Sequence, residues 1–286
     1  MNPRRPRGRD AARVPGAAKG PRRPRSRDTA PAGGAASSPR QPRAAARAAS
    51  PRSAGPPDLR EAVARLEAYH GTPEPPLTRD PFAAAVLENV AYLVDDDRRR
   101  RVFERLREAV GITPEALLAV PEDELARLIA DGGMLPAHRA AKVQKAAAIA
   151  AEIGVDELRR QAAAGTGARL LRRLPGIGEP GADRLQLLAH GKRTLAPDSN
   201  ALRVLVRLGF GAESDDYTAM YRSAMAAVAP QLPDDFDWLV RAHQLLRQHG
   251  QEVCKRTVPL CEVCPLTRLC AWYARNLPTE TSRRRS

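Results

Sequence analysis

Aliphatic positions recur every three or four residues from residue 58 almost to a cysteine-rich segment near the C-terminus, and no stretch alternates in the manner of a strand. This spacing predicts an all-α protein. A first helix is expected over 58–69. Asp80 and Pro81 read as an N-cap and first-turn proline, opening a second helix that the apolar pattern carries to about Val94. A charged run over 95–101 leads into a helix ending near Val110. Thr113-Pro114 opens the next, and Pro121, with three acids behind it, opens one more. Gly132-Gly133 breaks the chain. Helices resume over 138–153, 155–163 and 169–174, then over 182–190, 199–208 behind Asp198, 217–228 and 236–249.

Composition changes the picture at the N-terminus. Residues 1–57 are Pro, Arg, Ala, Gly and Ser with almost nothing aliphatic to bury, so their ordering entropy has no offset and a disordered arm is expected. They carry 14 Arg and Lys against 2 Asp, which is +12 of the formal +14. Such an arm attracts polyanions by counterion release, with nucleic acid the leading partner. RNA, an acidic lipid surface or a partner protein stay open. The arm is Arg-rich like a transit peptide, yet its prolines deny it the amphipathic helix such peptides need. No apolar run reaches the ~18 residues of a membrane span. The 42 Arg against 5 Lys suit a GC-rich bacterial genome, and a cytoplasmic, nucleoid-associated monomer is expected. Residues 278–286 read as a frayed basic end.

Three features bear on chemistry. In "LPGIGEPGADRL", 174–185, Gly176 and Gly178 bend the chain between two helices and leave backbone N–H groups at a helix start, where a phosphate can be gripped; Leu174 and Ile177 flank them. An ordinary helix-to-helix turn is equally compatible with these residues alone. In "DPFAAAVLENVAYLV" only Glu88 and Asn89 interrupt an apolar surface, so burial is expected to raise the pKa of Glu88 and keep a proton on it. Tyr92 is expected one turn on, close enough to bond Glu88 or border a pocket. A partly exposed Glu on a small-residue helix is the plain alternative. Finally, Cys254, Cys261, Cys264 and Cys270 are the chain's four cysteines, spaced Cys-x6-Cys-x2-Cys-x5-Cys. Zinc usually shows two Cys-x2-Cys pairs and this array has one, so a cubane iron–sulfur cluster fits better, with zinc remaining open.

These stretches resemble the iron–sulfur-containing helix-hairpin-helix DNA glycosylases, the endonuclease III and adenine glycosylase group. Leu-Pro-Gly-Ile-Gly at 174–178 is similar to their hairpin, and "LAPDSNALRVLVRLG" at 195–209 to the segment after it. The resemblance covers roughly 58–277. It implies a two-lobed fold: a helix over 58–79 packing with the cluster lobe, a central lobe over 80–197 holding the hairpin, and C-terminal helices with a [4Fe-4S] loop over 198–277. The cluster would be structural and DNA-contacting, with Lys255, Arg256 and Arg268 meeting phosphates.

The resemblance also assigns roles. Asp198, read from its N-cap position as held ionised by the helix dipole, would assist attack at the deoxyribose C1′. Glu88 falls where adenine glycosylases carry the acid that protonates the leaving base, and Asn200 completes their Asp-x-Asn. Where bifunctional members carry a Schiff-base lysine this chain has Pro180, which offers no nucleophile; Lys192 is the nearest other amine. Leu135, Pro136 and Ala137 replace the adjacent tyrosines of adenine glycosylases, and the chain ends soon after Cys270. The expectation is a monofunctional glycosylase acting on a base flipped from duplex DNA. A lyase-competent endonuclease III-like enzyme and a DNA-binding protein that has lost catalysis are the alternatives.

Overall fold

The computed structural model describes residues 57–276. The arm expected over 1–57, apart from Pro57, and the end expected over 278–286 lie outside the described residues. Among the described residues thirteen α-helices follow in order: α1 Leu59–His70, α2 Pro81–Val90, α3 Asp96–Ala109, α4 Pro114–Ala119, α5 Glu122–Leu128, α6 Pro136–Ile153, α7 Val155–Ala163, α8 Ala168–Leu171, α9 Glu179–Leu188, α10 Ser199–Leu208, α11 Tyr217–Val228, α12 Phe236–Glu252 and α13 Ala271–Asn276. No strand occurs among the described residues, and the fold is all-α as the spacing predicts.

Polar side chains start most of the helices. Asp58, Asp80, Asp95, Asp198, Asp216 and Asp235 each accept first-turn N–H groups, as does Thr113 Oγ1. Each such cap contributes about 1 kcal/mol. Two apolar cores then hold the helices together. The first draws Phe82, Val86, Phe103, Leu106, Leu125, Val143, Leu171 and Leu185 from α2 to α9. The second gathers Leu59 and Leu66 of α1 with Leu205, Phe210, Leu239, Leu245 and Leu246, and Leu266 beyond them. Helix α9 serves both, giving Ala182 and Leu185 to the first and Leu187 to the second. Residues on α9 therefore stand where the two cores meet.

Several boundaries differ from the sequence expectation. Helix α2 stops at Val90 instead of reaching Val94, because the Tyr92 N–H turns to Gly132 O at 2.8 Å and Tyr92 pairs in a bridge with Gly133. This approach needs the glycine pair: a Cβ at Gly132 would strike Val90 O, and one at Gly133 would strike Tyr92 O. Helix α6 starts earlier, with Pro136 in its first turn behind a left-handed Leu135. Helix α8 ends at Leu171 and α9 already begins at Glu179, so the hairpin loop lies three residues earlier than the expected 175–181.

Candidate active site and cysteine centre

Asp198 is the N-cap of α10. Its Oδ1 accepts from the N–H groups of Asn200 at 2.9 Å and Ala201 at 2.8 Å, while Oδ2 faces Asn200 Nδ2 at 3.3 Å and Arg247 Nε at 3.3 Å. Arg247, on α12, also forks onto Asp96 of α3, with Nη2 to Oδ1 at 2.7 Å. The guanidinium therefore ties α3 of the first core to the start of α10. Asn200 is itself fixed, with Oδ1 accepting from Arg203 Nη2 at 3.0 Å; the same guanidinium donates to Gly250 O at 2.6 Å and Cys254 O at 2.7 Å. Helix α12 comes this close because a Cβ at Gly250 would lie 2.6 Å from the Asn200 carbonyl carbon. Both ends of the Asn200 amide are engaged, which makes it a support for Asp198.

Glu88 leaves α2 toward the same region. Arg184 Nη2 of α9 meets its Oε1 at 2.8 Å and Arg99 Nη1 of α3 at 3.6 Å, and the Glu88 side chain is 27% exposed. Here the expected pKa is overturned. Burial pushes the Glu88 carboxyl up, as anticipated, but Arg184, Arg99 and, more remotely, Arg247 outweigh it and hold the group below the usual carboxylate range. Nothing in the neighbouring residues of α2 signals this, because the arginines lie 11, 96 and 159 residues away and come from three other helices. His243 joins the cluster from α12: it is buried, its Nδ1 faces Leu195 O at 3.0 Å, and burial with the nearby Arg184 lowers its pKa to about 4. Tyr217, at the start of α11, feels both Asp198 and Arg184, and burial with Asp198 raises its phenol pKa.

Tyr92 is not where the helical pattern put it. Because α2 ends first, its side chain stands exposed beyond the helix and carries no bond to Glu88 among the described residues. It belongs instead to a paired-loop edge where Leu93 is 75% and Leu135 65% exposed, beside exposed Met134. Leu93 and Leu135 both adopt left-handed backbone, with φ of 57° and 55°, a conformation that costs a branched side chain about 1–2 kcal/mol. Buried Arg139 holds the two loops together, donating to Val90 O, Ile129 O, Gly133 O and Met134 O.

The hairpin spans 172–178 between α8 and α9. Leu174 and Ile177 are buried in the first core, so their side chains anchor the turn whose backbone N–H groups they flank. Gly176 has φ 77°, and a Cβ there would press on Asn89 Oδ1 at 3.1 Å; Asn89 in turn donates from Nδ2 to Pro175 O at 2.9 Å. Gly178 caps α9, and Pro180 sits in its first turn. Glu179 is paired with Arg222 at 2.8 Å. Lys192 reaches Asp183 Oδ1 at 2.5 Å, while Tyr221 donates to Asp183 Oδ2 at 2.8 Å. Its amine is directed to that carboxylate.

The family model for the HhH-GPD superfamily of base excision DNA repair proteins matches residues 94–230. Endonuclease III of Rickettsia conorii is 29% identical over 161 residues, 56% of this chain and 70% of that protein. The thymine-DNA glycosylase of Aeropyrum pernix is 28% identical across 68% of this chain and 84% of its own length. In three dimensions, a trapped endonuclease III–DNA covalent intermediate superposes with a TM-score of 0.61 at 25% identity, covering 77% of this chain and 97% of that one. The chain belongs to the helix-hairpin-helix DNA glycosylase superfamily. The matched segment of this glycosylase takes in the hairpin and Asp198; Glu88 and the cysteines lie outside it and stand on their own geometry.

The four cysteines of the glycosylase line one cavity of roughly 290 Å3, counting its open mouth, together with Val253, Leu260, Trp272 and Arg207. Arg207 stacks over Trp272 and directs Nη1 to Cys254 Sγ at 3.3 Å, and the Tyr273 N–H points at Cys270 Sγ at 3.4 Å. His249 Nε2 lies 3.4 Å from Cys264 Sγ. Burial pushes the Cys264 thiol up to about 11 and raises Cys261 and Cys270 as well. Among the described residues no three ligating side chains gather closely enough for a single ion. Four sulfurs around one partly apolar cavity, with N–H groups aimed at two of them and the His249 ring beside a third, form a donor set that fits an iron–sulfur cluster.

Proposed function

We propose that this base-excision DNA glycosylase hydrolyses the N-glycosidic bond of a damaged or mispaired base flipped out of duplex DNA, without a covalent amine intermediate. The observation that carries the reading is the arrangement of Glu88 and Asp198 about Arg247, with a proline at the hairpin position where a nucleophilic lysine would stand. Glu88 would protonate the departing base. Asp198, bound at one oxygen by two backbone N–H groups, would stabilise the positive charge developing on the sugar. Asn200 holds that carboxylate in place.

The surroundings support duplex DNA as substrate. Free backbone N–H groups at the start of α9 suit a phosphate, and a helix N-terminus favours its charge. The edge formed by Tyr92, Leu93, Met134 and Leu135 presents apolar side chains of the kind that enter a base stack and displace a nucleotide. Cys254, Cys261, Cys264 and Cys270 would hold the [4Fe-4S] cluster, which when bound ties the segment after α12 into one loop. Relatives named endonuclease III keep the lyase alternative in view, but Pro180 and the Lys192–Asp183 pair favour hydrolysis.

A panel of duplexes carrying uracil or thymine opposite guanine, oxidised pyrimidines and adenine mispairs tests the reading. Base release by wild type that is lost in Asp198→Asn, with no protein–DNA adduct on borohydride treatment, is expected. A trapped adduct would replace hydrolysis with the lyase reading, and no release from any duplex would favour the DNA-binding alternative.

A further inference from the structure

The charge cluster between the two cores is balanced in the DNA-free protein. Three guanidiniums, Arg99, Arg184 and Arg247, face three carboxylates, Glu88, Asp96 and Asp198. The balance is unevenly distributed. Arg247 spends its donors on Asp96 and Asp198, whereas Arg184 and Arg99 find only Glu88 among the described residues. A guanidinium carries five N–H donors, so one shared carboxylate leaves most of theirs unused, and Arg99 Nε is buried with no partner. Two half-satisfied guanidiniums, each partly open to solvent, suit an anion larger than one carboxylate oxygen.

Building on the glycosylase reading, we propose that Glu88 is a placeholder: in free protein its carboxylate sits in the Arg184–Arg99 pair that a phosphate of the extruded nucleotide takes over in the complex, and the displaced Glu88 takes a proton from solvent. Adding one phosphate charge to a neutral cluster leaves a single surplus negative charge, and one proton restores the balance. Glu88 is the acid that accepts it, because burial already opposes its charge and only the arginines keep it ionised. Asp198 retains its backbone donors, and Asp96 retains the Arg247 fork. The other charged groups around α2 do not compete: Arg159 is bound to Asp80 at its start and Arg139 to Val90 O at its end, while His243 and Tyr217 are held neutral by burial. The resting enzyme thus holds Glu88 in the wrong protonation state for an acid, and substrate binding corrects it. Arg184 becomes a substrate-contacting residue and a guard against adventitious acid chemistry.

The linkage is measurable without turnover. A duplex containing a tetrahydrofuran abasic analogue presents the extruded sugar and its phosphates but no scissile base. Its dissociation constant, measured by anisotropy from pH 8 to pH 5.5 at fixed salt against an undamaged duplex, is expected to tighten as pH falls, approaching about tenfold per unit where one proton is taken up. Glu88→Gln should bind well and lose that slope. Arg184→Gln should bind the abasic duplex about tenfold or more weakly while undamaged duplex is unaffected. Parallel pH curves for wild type and Glu88→Gln, or unchanged abasic-duplex affinity in Arg184→Gln, would overturn the placeholder. Base release by wild type would leave the glycosylase reading intact in that case, whereas failure of release across the lesion panel strikes the reading itself.

Discussion

Glu88 and Arg184 meet at 2.8 Å between α2 and α9, and Arg99 approaches the same carboxylate oxygen from α3. The pair sets opposite demands on one residue, since the free protein gains from the ionised form and base removal needs the protonated one. Replacing Glu88 by Gln keeps the shape and removes both. Single-turnover base release should fall about 10²–10⁴-fold, the usual contribution of a positioned acid. Stability should fall by about 1–2 kcal/mol, because Arg184 and Arg99 are left partly buried without their anion; a fully enclosed pair would cost more. Since the folded-state pKa of Glu88 lies below its ordinary value, its stabilisation is present above the usual carboxylate range and disappears as pH falls through the depressed value. Urea denaturation of wild type and Glu88→Gln at pH 7 and at successively lower pH reads this directly, and the difference between the two should narrow as pH falls.

Leu93 offers a test in which stability and function move apart. Its left-handed backbone strains a leucine, and its side chain is mostly in water, so Leu93→Gly removes strain while deleting almost no packing. The variant should be as stable as wild type or up to about 1 kcal/mol more so. Nucleotide extrusion should suffer, seen as weaker binding to abasic-analogue duplex and smaller fluorescence change from 2-aminopurine placed opposite the lesion. Equal extrusion would remove the edge from the DNA interface.

Helices were legible wherever a cap and an apolar stripe coincided. Asp80-Pro81, Thr113-Pro114 and Asp198 each start a helix where the sequence put one, because cap chemistry is local. The end of α2 was not legible, since it is set by a bridge to Gly133, 41 residues on, and apolar residues continue past it to Val94. The cysteine spacing pointed to one site and all four side chains do line one cavity. Glu88 was found from its apolar setting, but its charge state was misread for a physical reason. Desolvation is written in the neighbouring residues of one helix, whereas compensating charge arrives from α3, α9 and α12. Arg184 left a weak trace: it is a charged residue on α9 near the junction of the two cores.

Purified protein should be brown, with broad absorbance near ~400 nm and about four irons per chain, as expected of a cubane cluster. Cys261→Ser and Cys264→Ser should each lose that absorbance. Zinc in place of iron on elemental analysis would reassign the site. Arg207→Ala removes both the donor to Cys254 Sγ and the stack on Trp272, so it should retain iron initially and lose absorbance faster under oxygen than wild type.

His243 makes the site sensitive to mild acid. Its Nδ1 donates to Leu195 O, because a carbonyl accepts only, and the ring is buried beside Arg184 and Arg247. A second proton would place a third cation among them, which together with burial keeps the folded-state pKa at about 4 against 6.5 in an unfolded chain. Below pH 6.5 the unfolded chain therefore binds more protons than the folded one, and stability falls as pH drops from 6.5 toward 4. At pH 5 the loss amounts to about 2 kcal/mol, one and a half pH units of one-proton linkage. His243→Gln keeps a donor for Leu195 O and cannot be protonated. The stability advantage of wild type over the variant should shrink by that amount between pH 7 and pH 5 in urea denaturation, and parallel curves would mean that His243 takes up its proton in the folded protein without penalty.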